Sequence, residues 1–435
     1  MSTIVKPQSH HSSPTVKRPM DRFLFVLTLL LLGIGIVTVF DASYALALEH
    51  RHGDSFYYVK LQAAWAVVGL AALLATWRVR YWKWRRFAGA GAAISVLLLL
   101  AVLVPHIGIS VAGARRWVGH GPIRIQPSEV AKLMLVLYIA HVAAIHPKQM
   151  RLFKQGLAPL LGVIAVMFAL VAKEPDLGTG MVLGGTGIVM LFLAGARPRH
   201  MAALLACIAL GGAVYGAFLA KPYQRERLVS FADPQAHQID SGYQVWHALI
   251  ALGSGGPTGL GLGEGREKLY LPMARTDFIF PVIAEEWGLF GTLALVTVFV
   301  LIAARGFLIA YNTKDPFGML LAAGITTMIS LQALINIAVA TASIPNTGVP
   351  LPFISYGGSS LVLMMAGIGI LLNISSYPHG PDGPQKTRIE PNEQEFNRRW
   401  ERDTFALRDS YGLPPLSPTT RRVERAKRRT AGARD

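Results

Sequence analysis

Ten long apolar segments constrain the fold of this chain more than any other feature of its sequence. A helix that spans the hydrocarbon core of a bilayer needs about 20 mostly apolar residues. Each segment comes close to that length, and only polar, charged or Gly/Pro-rich stretches separate them. The sequence therefore predicts an all-α, polytopic membrane protein with about ten transmembrane helices. The segments are 23–40, 57–77, 87–104, 128–145, 157–172, 177–195, 201–220, 278–304, 317–343 and 359–374.

The composition supports a membrane protein and argues against other classes. Of the 435 residues, 52% are hydrophobic and 15% are charged, whereas soluble domains average about 25% charged residues. The net charge of +17 would suit nucleic acid, but the basic residues lie in short loops and in the C-terminal tail, as expected beside a bilayer. A single cysteine, Cys207, excludes a disulfide framework and cysteine-based metal motifs.

The distribution of basic residues predicts the orientation of the chain. Lysine and arginine are concentrated in the second, fourth, sixth and eighth connections, although the third connection also holds three arginines. These even-numbered connections and both termini are therefore predicted to be cytoplasmic. The domains follow: a cytoplasmic tail at 1–22, a transmembrane domain at 23–376 with a large extracytoplasmic loop at 221–277, and a disordered, basic cytoplasmic tail at 377–435. Within the loop, 242–256 reads as a short amphipathic interfacial segment.

Asp277 lies where the extracytoplasmic loop meets the eighth apolar segment, in the sequence ARTDFIF. A carboxylate there is near water but beside apolar side chains, and partial desolvation would raise its pKa and suit it to general-base chemistry. The alternative is a structural role, because Thr276 or Asp277 would serve as the N-cap of the following helix.

Glu285 and Glu286 lie deeper in the same segment. Carboxylates at such depth are costly, and they are usually functional or paired. On a continuous helix, Asp277 and Glu285 would share one face about 12 Å apart, which is too far for a direct dyad. A salt bridge or cap in a helix that bends near Gly288 is an equally good interpretation.

The stretch 113–133 places basic and aromatic residues at the predicted outer interface. Arg115 and Arg116 precede a tryptophan, and arginine forks bind phosphate oxygens in a bidentate manner; interfacial anchoring is the alternative. The sequence Pro-Ser-Glu at 127–129 predicts a helix start. Glu129 and Lys132 are three residues apart and can pair, either for function or as a structural ion pair.

Two further polar stretches lie on the same predicted side. The turn at 173–176 packs three charges between two apolar segments, and its Asp176 would orient neighbouring groups or serve plain turn chemistry. In the stretch 346–360, two prolines forbid regular helix, and Ser359 starts the last apolar segment, where free amides would attract an anion. Charged groups gathered on one face suit a lipid-anchored anionic substrate, but they leave an enzyme and a flippase both open.

Four of these stretches resemble the SEDS family of shape, elongation, division and sporulation proteins, typified by FtsW, RodA and SpoVE. The stretches are GARRW…QPSEVAKL, KEPDLGTG, GYQVWHALIALGSGGPTGLGLG…YLP…TDFIFPVIAEEWG and TGVPLPFISYGGSS, and the resemblance covers about 21–374. The motifs TDFIF, IAEE and PFISYGGSSL resemble those of FtsW and SpoVE more closely than those of RodA. The cell-division branch is therefore favoured, with a location at the septum of the bacterial cytoplasmic membrane.

The resemblance implies a peptidoglycan glycosyltransferase that polymerises lipid II at the outer face of that membrane. The aspartate of the TDFIF motif corresponds to Asp277, as general base on the acceptor hydroxyl. The arginine of the RW pair corresponds to Arg116, a ligand for pyrophosphate. The buried Glu/Lys pair of the family corresponds to Glu129 and Lys132, and the KEPD aspartate corresponds to Asp176.

The resemblance also implies partners: a class B penicillin-binding transpeptidase and other membrane proteins of division or elongation, but no nucleic acid. A pyrophosphate leaving group would suit Mg²⁺ or Mn²⁺, although no dedicated metal cage is visible in the sequence. The chain departs from the family at Met273, where a glutamate is usual, and at Arg275, where a histidine is usual. Arg275 would lower the pKa of Asp277 and hold phosphate. A lipid II flippase and a non-catalytic scaffold for the transpeptidase are the competing functions.

Overall fold

A computed structural model describes residues 17–381, except 51–53, 106, 112–113, 121–122, 241 and most of 215–232. Nearly all of the two predicted cytoplasmic tails lies outside the described residues, and so does the first part of the predicted extracytoplasmic loop. The α-helices are α1 (Arg22–His50), α2 (Tyr57–Arg78), α3 (Ala88–Leu103), α4 (Pro127–Ile145), α5 (Ala158–Lys173), α6 (Leu177–Leu193), α7 (Pro198–Val214), α8 (Tyr243–Ser254), α9 (Ile279–Asn312), α10 (Pro316–Ala340) and α11 (Gly358–Ser376).

All ten predicted apolar segments are helical where they are described. Among the described residues, eight helical segments are long and apolar enough to cross a membrane, and α6 and α7 are shorter apolar helices of 17 residues each. The prediction of a polytopic membrane protein is confirmed, while the orientation of the termini stays a prediction. Helix α1 runs past the predicted end at Phe40 to His50, because neither glycine nor proline interrupts that stretch.

The helices α10 and α11 are the most buried of the spanning helices. Helix α10 packs against α4, α6 and α9, and α11 lies along α2. Small residues allow the close approach of α2 and α11, and Thr76 of α2 donates a hydrogen bond to the carbonyl of Ala366 at 3.0 Å. Helix α7 is peripheral: among its side chains only Met201 is buried.

A three-stranded antiparallel sheet precedes α4, and it corrects the all-helical prediction locally. Its strands are β1 (Ile109–Val111), β2 (Ala114–His120) and β3 (Ile123–Ile125), in the order β1-β2-β3. The short runs of β-branched and alternating residues in this stretch were the signal for it. The sheet carries Arg116 on β2 and leads directly into α4, whose predicted start at Pro127 is confirmed.

Helix α9 bends sharply at Gly288, as predicted, where φ is 66° and ψ is −169°. A Gly-rich loop, 255–265, inserts at the bend. The backbone N–H groups of Leu260 and Gly261 donate to the carbonyls of Glu285 and Glu286, both at 3.0 Å. The N–H of Leu289 donates to the carbonyl of Gly256 at 2.8 Å. The loop thus satisfies backbone groups that the bend would otherwise leave unpaired.

Candidate active site

The centre of the site is an irregular segment between α10 and α11, residues 346–357, here called the bridging loop. Two side chains of α10 satisfy its backbone: Gln332 donates to the carbonyl of Pro350 at 3.0 Å, and Asn336 donates to the carbonyl of Val349 at 2.7 Å. Irregular backbone between membrane helices persists only where such partners exist or water reaches it. The prolines therefore stop the helix, and the two amides of α10 fix the shape of the loop.

The segment 275–277 is held against this loop by its backbone. Ser355 donates from its hydroxyl to the carbonyl of Thr276 at 2.6 Å, and the N–H of Tyr356 donates to the carbonyl of Arg275 at 2.8 Å. Asn336 donates a second hydrogen bond to the carbonyl of Asp277 at 2.8 Å. The backbone contacts fix the position of the segment independently of its side chains.

Asp277 is partly exposed beside the bridging loop. A Cβ atom built at Gly348 would lie 3.4 Å from its Oδ2 atom, and φ of Gly348 is +71°, so glycine suits this position on both counts. Helix α9 begins at Ile279 with Phe278 as its N-cap. The interpretation of Asp277 as the cap is therefore wrong, and so is the expectation of a helix face shared with Glu285, because Asp277 precedes the helix.

Arg275 lies over the ring of Tyr58, with the ring of Tyr356 nearby. Its guanidinium carbon is 4.2 Å from the ring centroid of Tyr58 and 6.0 Å from that of Tyr356. Such stacking orients a guanidinium without neutralising its charge. The side chain is partly exposed, two residues before Asp277. Its expected effect on the pKa of Asp277 stays a prediction.

Arg116 of β2 is fixed on the turn between α5 and α6. Its Nε donates to the carbonyl of Glu174 at 3.2 Å, and an Nη donates to the carbonyl of Pro175. Its other Nη lies 4.0 Å from the carboxylate of Asp176, and the side chain is 26% exposed. The guanidinium is thus held in one orientation while part of it remains accessible.

Asp176 is buried and caps α6. It accepts hydrogen bonds from the N–H of Thr179 at 3.2 Å and from the amide of Gln126 at 2.8 Å. Burial raises the pKa of Asp176, and the neighbouring Arg116 opposes that shift. The N–H of Gln126 donates in turn to the hydroxyl of Ser359, which is also buried, at 3.3 Å. The side chains of Asp176 and Ser359 are therefore both buried, unlike the partly exposed guanidinium of Arg116.

Sequence reasoning gave no role to Glu174, the second carboxylate of this turn. The residue is fully buried, and within the described part of the chain neither carboxylate oxygen has a hydrogen-bond partner. Burial and the nearby Asp176 raise the pKa of Glu174 to about 8. The turn therefore carries a carboxyl group that keeps its proton at neutral pH. Two carboxylates separated by one residue in so short a turn were the available signal.

The predicted pair of Glu129 and Lys132 is confirmed. The Nζ of Lys132 lies 2.7 Å from a carboxylate oxygen of Glu129 and donates to Gln332 at 2.5 Å, and the two charged side chains are 1–2% exposed. Since Gln332 also binds Pro350, the pair connects the start of α4 to the bridging loop.

Glu285 and Glu286 belong to a second group of charges, here called the paired cluster, with Lys268 and Asp41. Glu285 accepts backbone N–H groups of Arg266 and Glu267 at 2.8 and 3.1 Å. Lys268 lies 2.7 Å from Glu286 and 2.6 Å from Asp41. The predicted salt bridge is therefore confirmed for Glu286, whereas Glu285 binds backbone groups of the loop.

The described residues contain no group of three or more His, Cys, Asp or Glu side chains arranged to hold a metal ion. The chain thus offers no all-protein cage there for the Mg²⁺ or Mn²⁺ that a pyrophosphate would suit. The metal requirement stays a prediction, and no step below passes through a metal.

The bridging loop contacts both the segment that carries Asp277 and the first turn of α6, next to the turn that binds Arg116. A Cβ atom at Gly178, in the first turn of α6, would lie 2.5 Å from the carbonyl oxygen of Thr347. The turn that holds Arg116 therefore packs against one side of this stretch of the loop. The adjacent Gly348 faces Asp277. The partly exposed carboxylate of Asp277 and the two fixed arginines thus lie on segments that pack against the bridging loop or against the turn beside it.

Comparisons with known proteins identify the family of the chain. A family model described as a cell cycle protein of the FtsW, RodA and SpoVE type matches residues 21–379. The chain is 42% identical to stage V sporulation protein E of Bacillus subtilis over 83% of this chain and 99% of that protein. It is 37% identical to the probable peptidoglycan glycosyltransferase FtsW of Geobacter metallireducens over 83% of this chain and 96% of that protein.

Solved structures show the same fold. A chain of a peptidoglycan synthase complex, described as coordinating polymerization and crosslinking, matches with a TM-score of 0.69 and 29% identity, over 82% of this chain and 97% of that one. The rod shape determining protein RodA of Thermus thermophilus matches with a TM-score of 0.61 and 28% identity, over 83% and 98%. The chain therefore belongs to the FtsW, RodA and SpoVE family, as the resemblance of its motifs implied.

Proposed function

We propose that the chain is a peptidoglycan glycosyltransferase that polymerises lipid II at the outer face of the cytoplasmic membrane. The names of the FtsW relatives support the activity. The observation that carries the mechanism is the placement of Asp277, partly exposed beside the bridging loop on a segment that is fixed by its backbone.

Asp277 acts as the general base. Its carboxylate takes the proton of the C4 hydroxyl of the acceptor disaccharide as that oxygen attacks C1 of the donor MurNAc. The bond from C1 to the undecaprenyl pyrophosphate oxygen breaks, and the leaving group departs with the electron pair. Asp277 then returns the proton to solvent. Positioned proton transfer of this kind contributes about 10²–10⁴-fold to a rate.

Arg116 and Arg275 bind the pyrophosphate. Both guanidinium groups are held before substrate arrives, Arg116 by backbone carbonyls and Arg275 by aromatic rings. Preorganised cations stabilise developing negative charge without a reorganisation cost during the reaction.

The four buried site residues, Glu129, Lys132, Asp176 and Ser359, position these groups rather than touch substrate. Lys132 acts through Gln332 on the bridging loop. Asp176 and Ser359 are both bound by Gln126, just before α4.

The chain works with a class B penicillin-binding transpeptidase, which cross-links the new strands, among other membrane proteins of the division septum. The similarity to a chain of a peptidoglycan synthase complex supports such a partner. The relatives include both a sporulation protein and FtsW proteins, so division stays a prediction.

The test is polymerisation of lipid II by the purified wild type and by Asp277→Asn, each with and without the cognate transpeptidase. Asp277→Asn should lower polymer formation by about 10²-fold or more with an unchanged thermal midpoint. Asp54→Asn, an exposed aspartate in the connection between α1 and α2, is the matched control and should retain activity. Retained activity in Asp277→Asn would refute the assignment of the base, and transbilayer lipid II movement without polymerisation by the wild type would favour a flippase.

A further inference from the structure

A crevice lies between the connection of α4 to α5 and the start of α7. Its volume is about 330 Å³. The candidate active site lies near the first residues of α4 and α6, whereas this crevice follows their last residues, Ile145 and Leu193. The crevice is therefore at the opposite end of the helices, the end predicted to be cytoplasmic, and it is separate from the site above.

The charge of the crevice is all of one sign. Its lining includes Arg151, Lys154, Arg197 and Arg199, together with His200, and no carboxylate. The sequence holds no aspartate or glutamate at 130–173 or at 177–225, so neither adjoining segment can supply a counter-charge. Within the described residues, no ion pair neutralises any of the four cations. Cations crowded in this way repel one another unless an anion joins them.

The rim of the crevice is apolar. Phe153 is 50% exposed and Leu152 is 43% exposed. The ring of His200 contacts Phe153 with centroids 5.8 Å apart. Exposed apolar side chains next to cations, at the end of spanning helices, match the boundary between acyl chains and headgroups.

We propose that this crevice binds the phosphate of an anionic phospholipid headgroup. The arginines and Lys154 contact the phosphate oxygens, and the acyl chains lie along Phe153 and Leu152. Charge complementarity selects an anionic headgroup, and the apolar rim selects a lipid over a soluble phosphate. Arginine forks bind phosphate oxygens through paired N–H donors. A zwitterionic headgroup also carries a positive charge, which the crevice cations repel, so its affinity should be lower.

The test is lipid binding by the purified full chain in detergent, measured by native mass spectrometry and by the shift of the thermal midpoint. Phosphatidylglycerol, phosphatidylcholine and inorganic phosphate are titrated separately. The variant Lys154→Gln/Arg197→Gln removes two crevice cations. The control Lys83→Gln/Arg86→Gln removes the same residue types from exposed positions of the connection between α2 and α3, on the same predicted side.

Phosphatidylglycerol should bind at least tenfold more tightly than phosphatidylcholine, and the crevice variant should weaken that binding by about tenfold, since each interfacial cation contributes several-fold. The control variant should bind as the wild type does. Equal binding of the two lipids, or unchanged binding by the crevice variant, would overturn the proposal. Tight binding of inorganic phosphate that displaces the lipid would overturn it in favour of a soluble anion.

Discussion

Glu286 of the paired cluster and Asp277 are close in the sequence, yet their carboxylates differ in burial and in how their segments are held. In the paired cluster, Lys268 contacts both Asp41 and Glu286, and the Glu286 side chain is 3% exposed. Asp277 is partly exposed, and its segment is held by backbone bonds instead. The side chain of Glu286 is thus buried against a lysine, whereas Asp277 keeps part of its surface exposed beside the bridging loop.

The variant Lys268→Ala should give the largest effect in a test of this difference between the paired cluster and the surroundings of Asp277. The change leaves Asp41 and Glu286 without their shared cation, and loss of one partner of a buried ion group costs about 3–5 kcal/mol. Differential scanning fluorimetry in detergent should show a large fall in the thermal midpoint. Lys268→Arg keeps the charge and should stay close to the wild type. If Asp277→Asn destabilised the protein as much as Lys268→Ala, the contrast between the two regions would fail.

Variants of Glu174 can test whether burial of a carboxyl group without a hydrogen-bond partner lowers the free energy of unfolding. The pKa of Glu174 is about 8 in the folded protein, above its ordinary value of 4.5. Below pH 4.5 both the folded and unfolded states hold the proton, so there is no penalty. As the pH rises towards 8, the unfolded state ionises and the folded state does not, so stability falls; above 8 the loss is complete.

Glu174→Gln cannot ionise, so its stability should not fall across this window. Its advantage over the wild type should grow by on the order of 3 kcal/mol between pH 5 and pH 8, measured by thermal or denaturant unfolding. The control Glu264→Gln changes an exposed carboxyl group. Parallel pH profiles for the wild type and Glu174→Gln would contradict the raised pKa.

Arg116→Lys sharpens the functional side of the comparison with a smaller effect. An ammonium cannot reproduce the fork that binds two backbone carbonyls and still presents donors to a phosphate. The KM for lipid II should rise by about tenfold, equivalent to about 1.4 kcal/mol, with the fold intact. Arg115→Lys, at the exposed neighbouring position on β2, serves as the control. Equal KM values for the two variants would contradict the assignment of Arg116 to pyrophosphate binding.

Local patterns predicted much of this molecule. The apolar segments, the start of α4 at Pro127, the pair of Glu129 with Lys132 three residues later and the bend at Gly288 were all recovered. The interfacial segment at 242–256 contains α8. Each of these features depends on residues within a few turns of one another, so composition and spacing are enough to indicate them.

The sequence could not show which residues meet across the chain. Arg116 binds the turn at 174–176, which is 58 and 59 residues away. Nothing in the composition of the Gly-rich loop shows that its backbone pairs with the bend of α9. The orphaned carboxyl group of Glu174 becomes visible only when its surroundings are known.

The sequence by itself determined the class of protein, the number of apolar helices and the inventory of charged groups beside them. Hydrophobic length and residue type set these, because partition into a bilayer depends on each segment alone. Only the tertiary structure decided which carboxylates are neutralised and which face the surface. Lys268 and Asp41 are 227 residues apart, and the pairing and burial of a charge depend on neighbours that packing alone supplies.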